Sequence, residues 1–324
     1  MIRFGLCCIF RKEPIKFKRA TAKFLSRLDR KGQLEHISAL CAHNAASLLK
    51  SLQFCHEHGI SDFRVNSQIL PLKTHPDVGY YIEELPGYRN IIDAFQECGE
   101  FCLQNSLRTT LHPDQFILLS SANKKVTCRS LIELKYQAQV AEWINADVIN
   151  IHGGGAYGNK PEALQRTVFQ INKLPDSIRT RLTLENDDRV YTPEDLLPIC
   201  METGIPLVYD VHHHRCLPDA LSIEKASEMA VQTWNREPVF HISSPLNGWD
   251  GASINQHHDY IDPLDFPECW LKLNITVEVE AKAKELAVLK LKKQIDHLTS
   301  MVSPTFGTTT EKPSFSKKRA NERD

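Results

Sequence analysis

Six short apolar runs in this chain end on a side chain able to bind a metal, and this repeated ending limits the available folds more than any other feature. Thr109-Thr110-Leu111 runs into His112, Val148-Ile149-Asn150-Ile151 into His152, and Leu182-Thr183-Leu184 into Glu185. Leu207-Val208-Tyr209 runs into Asp210, with His212, His213 and His214 behind it. Pro238-Val239-Phe240 leads to His241, and Ile275 through Val279 to Glu280. One strand ending in histidine means little. Six in succession ending in His, Asp or Glu describe an architecture with its chemistry at one end.

Two further runs, Arg3 to Phe10 and Phe63 to Ser67, complete a set of eight that start near Arg3, Asp62, Arg108, Asp147, Arg181, Pro206, Pro238 and Asn274. Roughly 25 to 60 residues separate successive starts, room for a helix in each gap as parallel βα repeats require. Leu34 to His58 places apolar residues three or four apart and stops at Gly59, a C-cap residue. Leu131–Ile144, Glu162–Leu174, Pro193–Thr203, Ser222–Trp234 and Lys282–Leu298 read as helices too, with Thr192 and Ser222 as N-caps. The expected fold class is α/β, a (β/α)8 TIM barrel in a single domain over residues 1–300, with its active site at the C-terminal ends of the strands. An open doubly wound sheet is the alternative, but it collects ligands at one switch point and has no use for six strand ends. Residues 301–324 include Ser303-Pro304-Thr305 and Lys317-Lys318-Arg319 and read as a disordered basic tail.

Hydrophobic residues make up 42% and charged residues 24%, as in a soluble globular protein, and the net charge of −1 gives no global positive field to advertise a nucleic-acid partner. The charge is nevertheless segregated: Arg11 to Lys31 holds nine Lys and Arg against Glu13 and Asp29. In the first βα region that segment serves either as a phosphate contact or as a solvated face. Ten cysteines without a CxxC pair suit reduced thiols of the cytoplasm, with Cys7 and Cys8 read as structural. No apolar run is long enough for a membrane span, so no membrane partner is expected.

Mixed His, Asp and Glu donors without cysteine suit a catalytic metal centre rather than a structural zinc site. Seven to nine donors accommodate two or three divalent ions, a device for phosphodiester cleavage. Taken singly, each histidine is more often a hydrogen-bonded barrel residue, and Glu185 or Asp210 alone reads equally as a cap or salt bridge. The joint placement decides for ligands. Gly153-Gly154-Gly155 offers phosphate a close approach to backbone N–H groups at a helix start, or simply a flexible βα turn. Gln115-Phe116, after His112-Pro113-Asp114, pairs an amide with an aromatic able to wedge into a base stack.

These motifs resemble the UV damage endonuclease family, metal-dependent repair nucleases with a barrel related to endonuclease IV. The likeness runs from about Arg3 to Leu291. It rests on Phe63-Arg64-Val65-Asn66-Ser67 with Thr74-His75-Pro76, on His112-Pro113-Asp114-Gln115-Phe116, Ile151-His152-Gly153-Gly154 and Leu184-Glu185-Asn186-Asp187. Tyr209-Asp210-Val211-His212-His213, His241-Ile242-Ser243-Ser244-Pro245, His257-His258-Asp259-Tyr260 and Glu280-Ala281-Lys282-Ala283-Lys284-Glu285 complete it. The resemblance implies metal ligands at His75, His112, His152, Glu185, Asp210, His213, His241, His257 and Glu280, with Glu185, Asp210 and Glu280 as the catalytic carboxylates and Glu185 bridging two cations. It implies lesion contacts from Gln115 and Phe116 and DNA contacts from Arg64 and Lys282. Two positions depart from the family: Leu6 stands where a tyrosine is usual, and Val239 where a metal-site lysine is frequent.

The expected activity is therefore nicking of damaged double-stranded DNA 5′ to a UV photoproduct by metal-activated water, leaving a 3′-hydroxyl. Two or three Mn2+ ions are the expected cofactor, with Mg2+ or Zn2+ as alternatives. A monomer without a nucleotide cofactor is expected. Competing readings are an apurinic-site endonuclease, a sugar isomerase or epimerase on the same barrel, and a damaged-DNA-binding protein without catalysis.

Overall fold

All eight apolar runs form parallel strands that pair in sequence order, and the last returns to the first, closing a barrel. A computed structural model describes residues 1–113 and 117–302. The strands are β1 (Ile2–Cys7), β2 (Asp62–Val65), β3 (Arg108–Leu111), β4 (Val148–His152), β5 (Leu182–Glu185), β6 (Leu207–Asp210), β7 (Val239–Ile242) and β8 (Ile275–Val279), each starting within a residue of its expected position. The seam is long: Ile2 to Leu6 pairs with Ile275 to Val279. This is the TIM barrel expected from the sequence, and the open sheet is excluded.

Helices occupy the gaps, and their polar first turns explain where they exceed the apolar pattern. The helix expected from Leu34 spans Arg30–Glu57, because the Asp29 side chain accepts from Gly32 N and caps it. The one expected from Leu131 spans Lys124–Trp143, capped by Asn123. At Pro193–Thr203 expectation and structure coincide, with Thr192 and Asp195 forming a capping box and Gly204 closing the end at φ 70°. The first strand is shorter than its apolar run. It stops at Cys7 because Cys8 takes a positive φ of 66°. The final helix, Glu285–Val302, begins after Lys284 turns at φ 53° and extends two residues into the segment expected as tail; residues 303–324 lie outside the described residues.

Strand alternation sorts the side chains into two environments. Leu6, Phe63, Leu111, Ile149, Leu184, Tyr209, Phe240 and Val277 are fully buried in the main apolar core. Residues of the other parity meet across the barrel interior. These are unusually polar: Arg64, Thr110, Asn150, Thr183, Glu185, Asp210, His241 and Glu278 are all buried. Val148, Val208 and Val239 form a small separate apolar cluster one step earlier on their strands. Val239 is thus a packed member of that cluster, and Leu6 is fully buried in the main core.

Gly5 is required by close approach. A Cβ there would lie 2.4 Å from Asp62 Oδ2 and 3.1 Å from Glu278 Cγ. Gly5→Ala is expected to destabilise the fold by about 1–3 kcal/mol through overpacking, read as a lower urea midpoint with an unchanged slope. An unchanged midpoint would contradict this packing.

Candidate metal centre

The C-terminal strand ends converge on a cavity of about 550 Å3 bordered by His112, His152, Glu185, His213, His257 and Glu280. Glu185, the last residue of β5, is its buried centre. One carboxylate oxygen, Oε2, lies 3.0 Å from His112 Nε2 and 4.0 Å from His152 Nε2, and accepts from Asn150 Nδ2 at 2.5 Å. Its other oxygen, Oε1, lies 3.0 Å from His241 Nδ1 and 3.4 Å from His213 Nδ1. Among the described residues two groups have donor atoms within 4.8 Å of one another, His112–His152–Glu185 and Glu185–Asp210–His241. Glu185 is the member they share.

The rings are held by their remaining nitrogens. A carbonyl only accepts, so His112 Nδ1 donates to Asn150 O at 3.0 Å and leaves Nε2 facing Glu185. In His213 the nitrogen beside Glu185 is itself the one held: Nδ1 donates to Asn186 O at 2.9 Å, which leaves Nε2 for a cation. His213 borders the cavity, whereas His212 is fully buried against Trp249 and His214 hydrogen-bonds Tyr209 and Asp219. His257 Nδ1 comes within 3.6 Å of Glu280 Oε2, while His258 Nδ1 caps the Tyr260 backbone.

These donors fit a cation. Asp210 Oδ1 accepts from His213 N at 2.8 Å, but Oδ2 is buried without a hydrogen-bond partner among the described residues. His241 Nδ1 at 4.0 Å and His213 Nδ1 at 3.5 Å approach that oxygen without bonding it. An orphaned buried carboxylate oxygen facing other ligand atoms is a position a divalent ion would satisfy.

Charge is strongly perturbed here. Burial alone would raise the Glu185 carboxyl, but the imidazoles of His241, His152 and His112 hold it well below the usual range. Burial would depress the His241 imidazole; Glu185 and Glu278 overcome this and push it up to about 10. Burial would lower His213 as well, yet Asp210 and Glu185 raise it well above its ordinary value. For His152 burial prevails and lowers it, despite Glu185.

Several expected residues stand elsewhere. His75 does not join the centre: β2 ends ten residues earlier, and the intervening loop carries it to a separate cavity of about 480 Å3, where Nδ1 accepts from Asp77 N and Val78 N. Arg64, expected on DNA, borders the same cavity as the donors but is buried, with its guanidinium paired to Glu278 and, at 2.6 Å, to Glu280. Its position inside the barrel follows from β2 alternation. The three glycines after His152 precede a helix that begins only at Lys160, so they form a loop and not a helix start. Lys282 is exposed at the rim of a neighbouring cavity with Cys8, Gln256 and His257. Within the basic segment, the backbone N–H groups of Arg11 and Lys12 bind Glu285 and Arg30 pairs with Glu84, which anchors it beside the strand ends. Gln115 and Phe116 lie outside the described residues.

Glu278 and Asn150 were not anticipated. Both sit two residues before a strand-end donor, Glu280 and His152, and alternation puts them on the same inward face. Thr110 Oγ1 donates to Glu278, and Thr183 Oγ1 to Asn150 Oδ1 at 2.9 Å. Asp62, beneath them, has both carboxylate oxygens buried without partners among the described residues; burial and the Glu278 charge push its carboxyl well up.

Comparison with known proteins gives a consistent result. The profile of a family described as UV-endonuclease UvdE matches residues 2–307. A protein of Bacillus velezensis named UV DNA damage endonuclease is 34% identical over 315 residues, covering 91% of this chain and 94% of its own length. The crystal structure of SacUVDE matches with a TM-score of 0.81 and 28% identity, over 92% of this chain and 99% of that one. Endonuclease IV from Thermus thermophilus shares the fold, with a TM-score of 0.58 at 13% identity over 91% of this chain and 99% of its own.

Proposed function

The chain belongs to the UV-endonuclease UvdE family, and on that premise we propose that it is a DNA-repair endonuclease that nicks damaged duplex DNA 5′ to UV photoproducts. The observation that carries the reading is Glu185, a buried carboxylate shared by two groups of metal donors at the mouth of the barrel. His112, His152, His213, His241, His257, Glu185, Asp210 and Glu280 would hold two or three divalent ions, Mn2+ being the best match to mixed oxygen and imidazole donors. When bound, such ions activate water and neutralise the attacking and leaving oxygens of an in-line phosphodiester displacement.

The chain's own residues do the positioning. Glu185 sets the spacing of the two donor groups, and Asp210 and Glu280 supply the remaining negative charge. Asn150 and Asn186 orient Glu185 and His213 through the hydrogen bonds given above. Arg64 neutralises part of the carboxylate cluster, so Glu280 stays ionised beside Glu278. Lys282 and the basic stretch from Arg11 to Lys31 lie on the side where a phosphodiester backbone would approach. Gln115 and Phe116 follow His112 and Pro113 in the sequence, and we assign them the insertion into the duplex beside the lesion. Ten free cysteines support a cytoplasmic setting; no helix among the described residues is long and apolar enough to cross a membrane.

Incubation with UV-irradiated, abasic and intact duplexes tests the reading. Nicking restricted to irradiated DNA, on the 5′ side of the photoproduct with a 3′-hydroxyl, is expected. Cleavage of abasic duplex alone would establish an apurinic-site endonuclease instead. Tight binding without cleavage under any divalent ion would leave only a damage-binding protein.

A further inference from the structure

Beneath the strand-end donors lies a carboxylate that no ligand role explains. Glu278, near the end of β8, is buried and reaches three partners on three other strands. Arg64 Nε donates to its Oε2 at 2.5 Å, the hydroxyl of Thr110 donates to Oε1, and His241 Nε2 lies 2.9 Å from Oε2, with Arg64 NH2 at 3.0 Å from the same ring nitrogen. The opposite nitrogen of that ring faces the carboxylates: His241 Nδ1 stands 3.0 Å from Glu185 Oε1, 3.5 Å from Glu280 Oε1 and 4.0 Å from Asp210 Oδ2. Arg64 is spanned in the same way, with Nε on Glu278 and NH1 on Glu280.

A buried ion cluster of this kind contributes little net stability, because desolvation of the charges offsets their attraction. Its geometry is informative. An imidazole that binds a metal through one nitrogen is oriented by whatever takes the proton of the other. We propose that Glu278 is a positioning residue for the metal centre, fixing the His241 ring through Nε2 and the Arg64 guanidinium through Nε so that His241 Nδ1 and Glu280 face the cation pocket. The inference rests on the metal-centre reading above and extends it to a residue outside the ligand set. Thr110 fixes Glu278 in turn, so the chain of support runs from β3 through β8 to β7.

The test uses the full chain, stripped with a chelator and titrated calorimetrically with Mn2+ alone. Glu278→Gln is expected to weaken Mn2+ binding by about 10- to 100-fold, the usual loss when such an outer partner is removed. Its affinity for irradiated duplex without metal should match that of the parent protein, since Glu278 is buried away from the mouth. Glu237→Gln, at the opposite end of the barrel on Thr276 and Arg3, should leave Mn2+ affinity unchanged. A folded Glu278→Gln protein that binds Mn2+ as tightly as the parent overturns the proposal. So does a parallel loss of Mn2+ and DNA binding, which would mark a merely structural role. Should that variant give no cooperative melt, Thr110→Val decides: several-fold weaker Mn2+ binding supports the proposal and unchanged binding overturns it. A parent protein that binds Mn2+ but never nicks irradiated DNA would refute the proposed reaction and leave this inference standing.

Discussion

Replacing Glu185 with alanine is expected to reduce strand cleavage by at least about a thousandfold, or ~4 kcal/mol in the barrier, while affinity for irradiated duplex persists. The reason is its shared position. His112 and His152 have only Glu185 as the carboxylate in their group, and Asp210 and His241 use the same side chain from the other side. Its loss removes a donor from both groups at once and leaves the imidazoles facing a void. Glu185 is fully buried, so no surface available to DNA changes. Parallel nicking and gel-shift measurements separate the two effects; a variant that still cleaves normally would mean that the donors have been assigned wrongly.

Removal of metal is expected to have an effect as large, and its dependence on pH has a definite sign. A chelator should bring nicking to background, and Mn2+ should restore it. In the metal-free protein His241 is pushed up to about 10 and His213 is also raised, so both rings carry protons near neutrality. A metal must displace those protons, so Mn2+ affinity should rise with pH, by up to about tenfold per pH unit for each proton displaced. The stability of the metal-free protein has the opposite dependence. A raised folded-state pKa contributes stability fully below the unfolded imidazole value of about 6.5, and that contribution is lost as pH climbs toward the folded value. Calorimetric titrations at pH 6, 7 and 8 check the first statement, and thermal melts of chelated protein from pH 6 to 10 the second. Mn2+ affinity that is flat across this range would show that the two imidazoles are not displaced ligands.

The barrel and most of its donors are legible in the sequence because both obey the shortest periods in the chain. An inward parity that ends on His, Asp or Glu at six strands leaves few three-dimensional arrangements. Expectation and structure part where the period is absent or has to be followed inward. His75 belongs to a loop, and nothing in a loop sequence says which way ten residues will travel from a strand end. The charge of Arg64 suggests a DNA contact, although its place two residues after Asp62 on a short strand aims it into the barrel. Glu278 is masked by its neighbour: Glu280 is the last polar residue of the run, and the same parity two positions earlier carries a second carboxylate. Helix starts are hidden where the first turn is polar and only a cap, such as Asp29 or Asn123, marks it.

The seam between β1 and β8 has a consequence for the birth of the protein. Its partners are more than 270 residues apart, and even the amino group of Met1 donates to Leu273 O. Glu280 follows the closing strand directly, and the Arg64 guanidinium that steadies it comes from the second. A chain still on the ribosome can have built most of the barrel wall and hold most of the imidazoles, yet it has neither closed the ring nor delivered this carboxylate. The folding step that spans the greatest contour length is thus the one that completes the cutting centre. A nuclease wired in this order has no complete donor set until its eighth strand has been made and paired with the first.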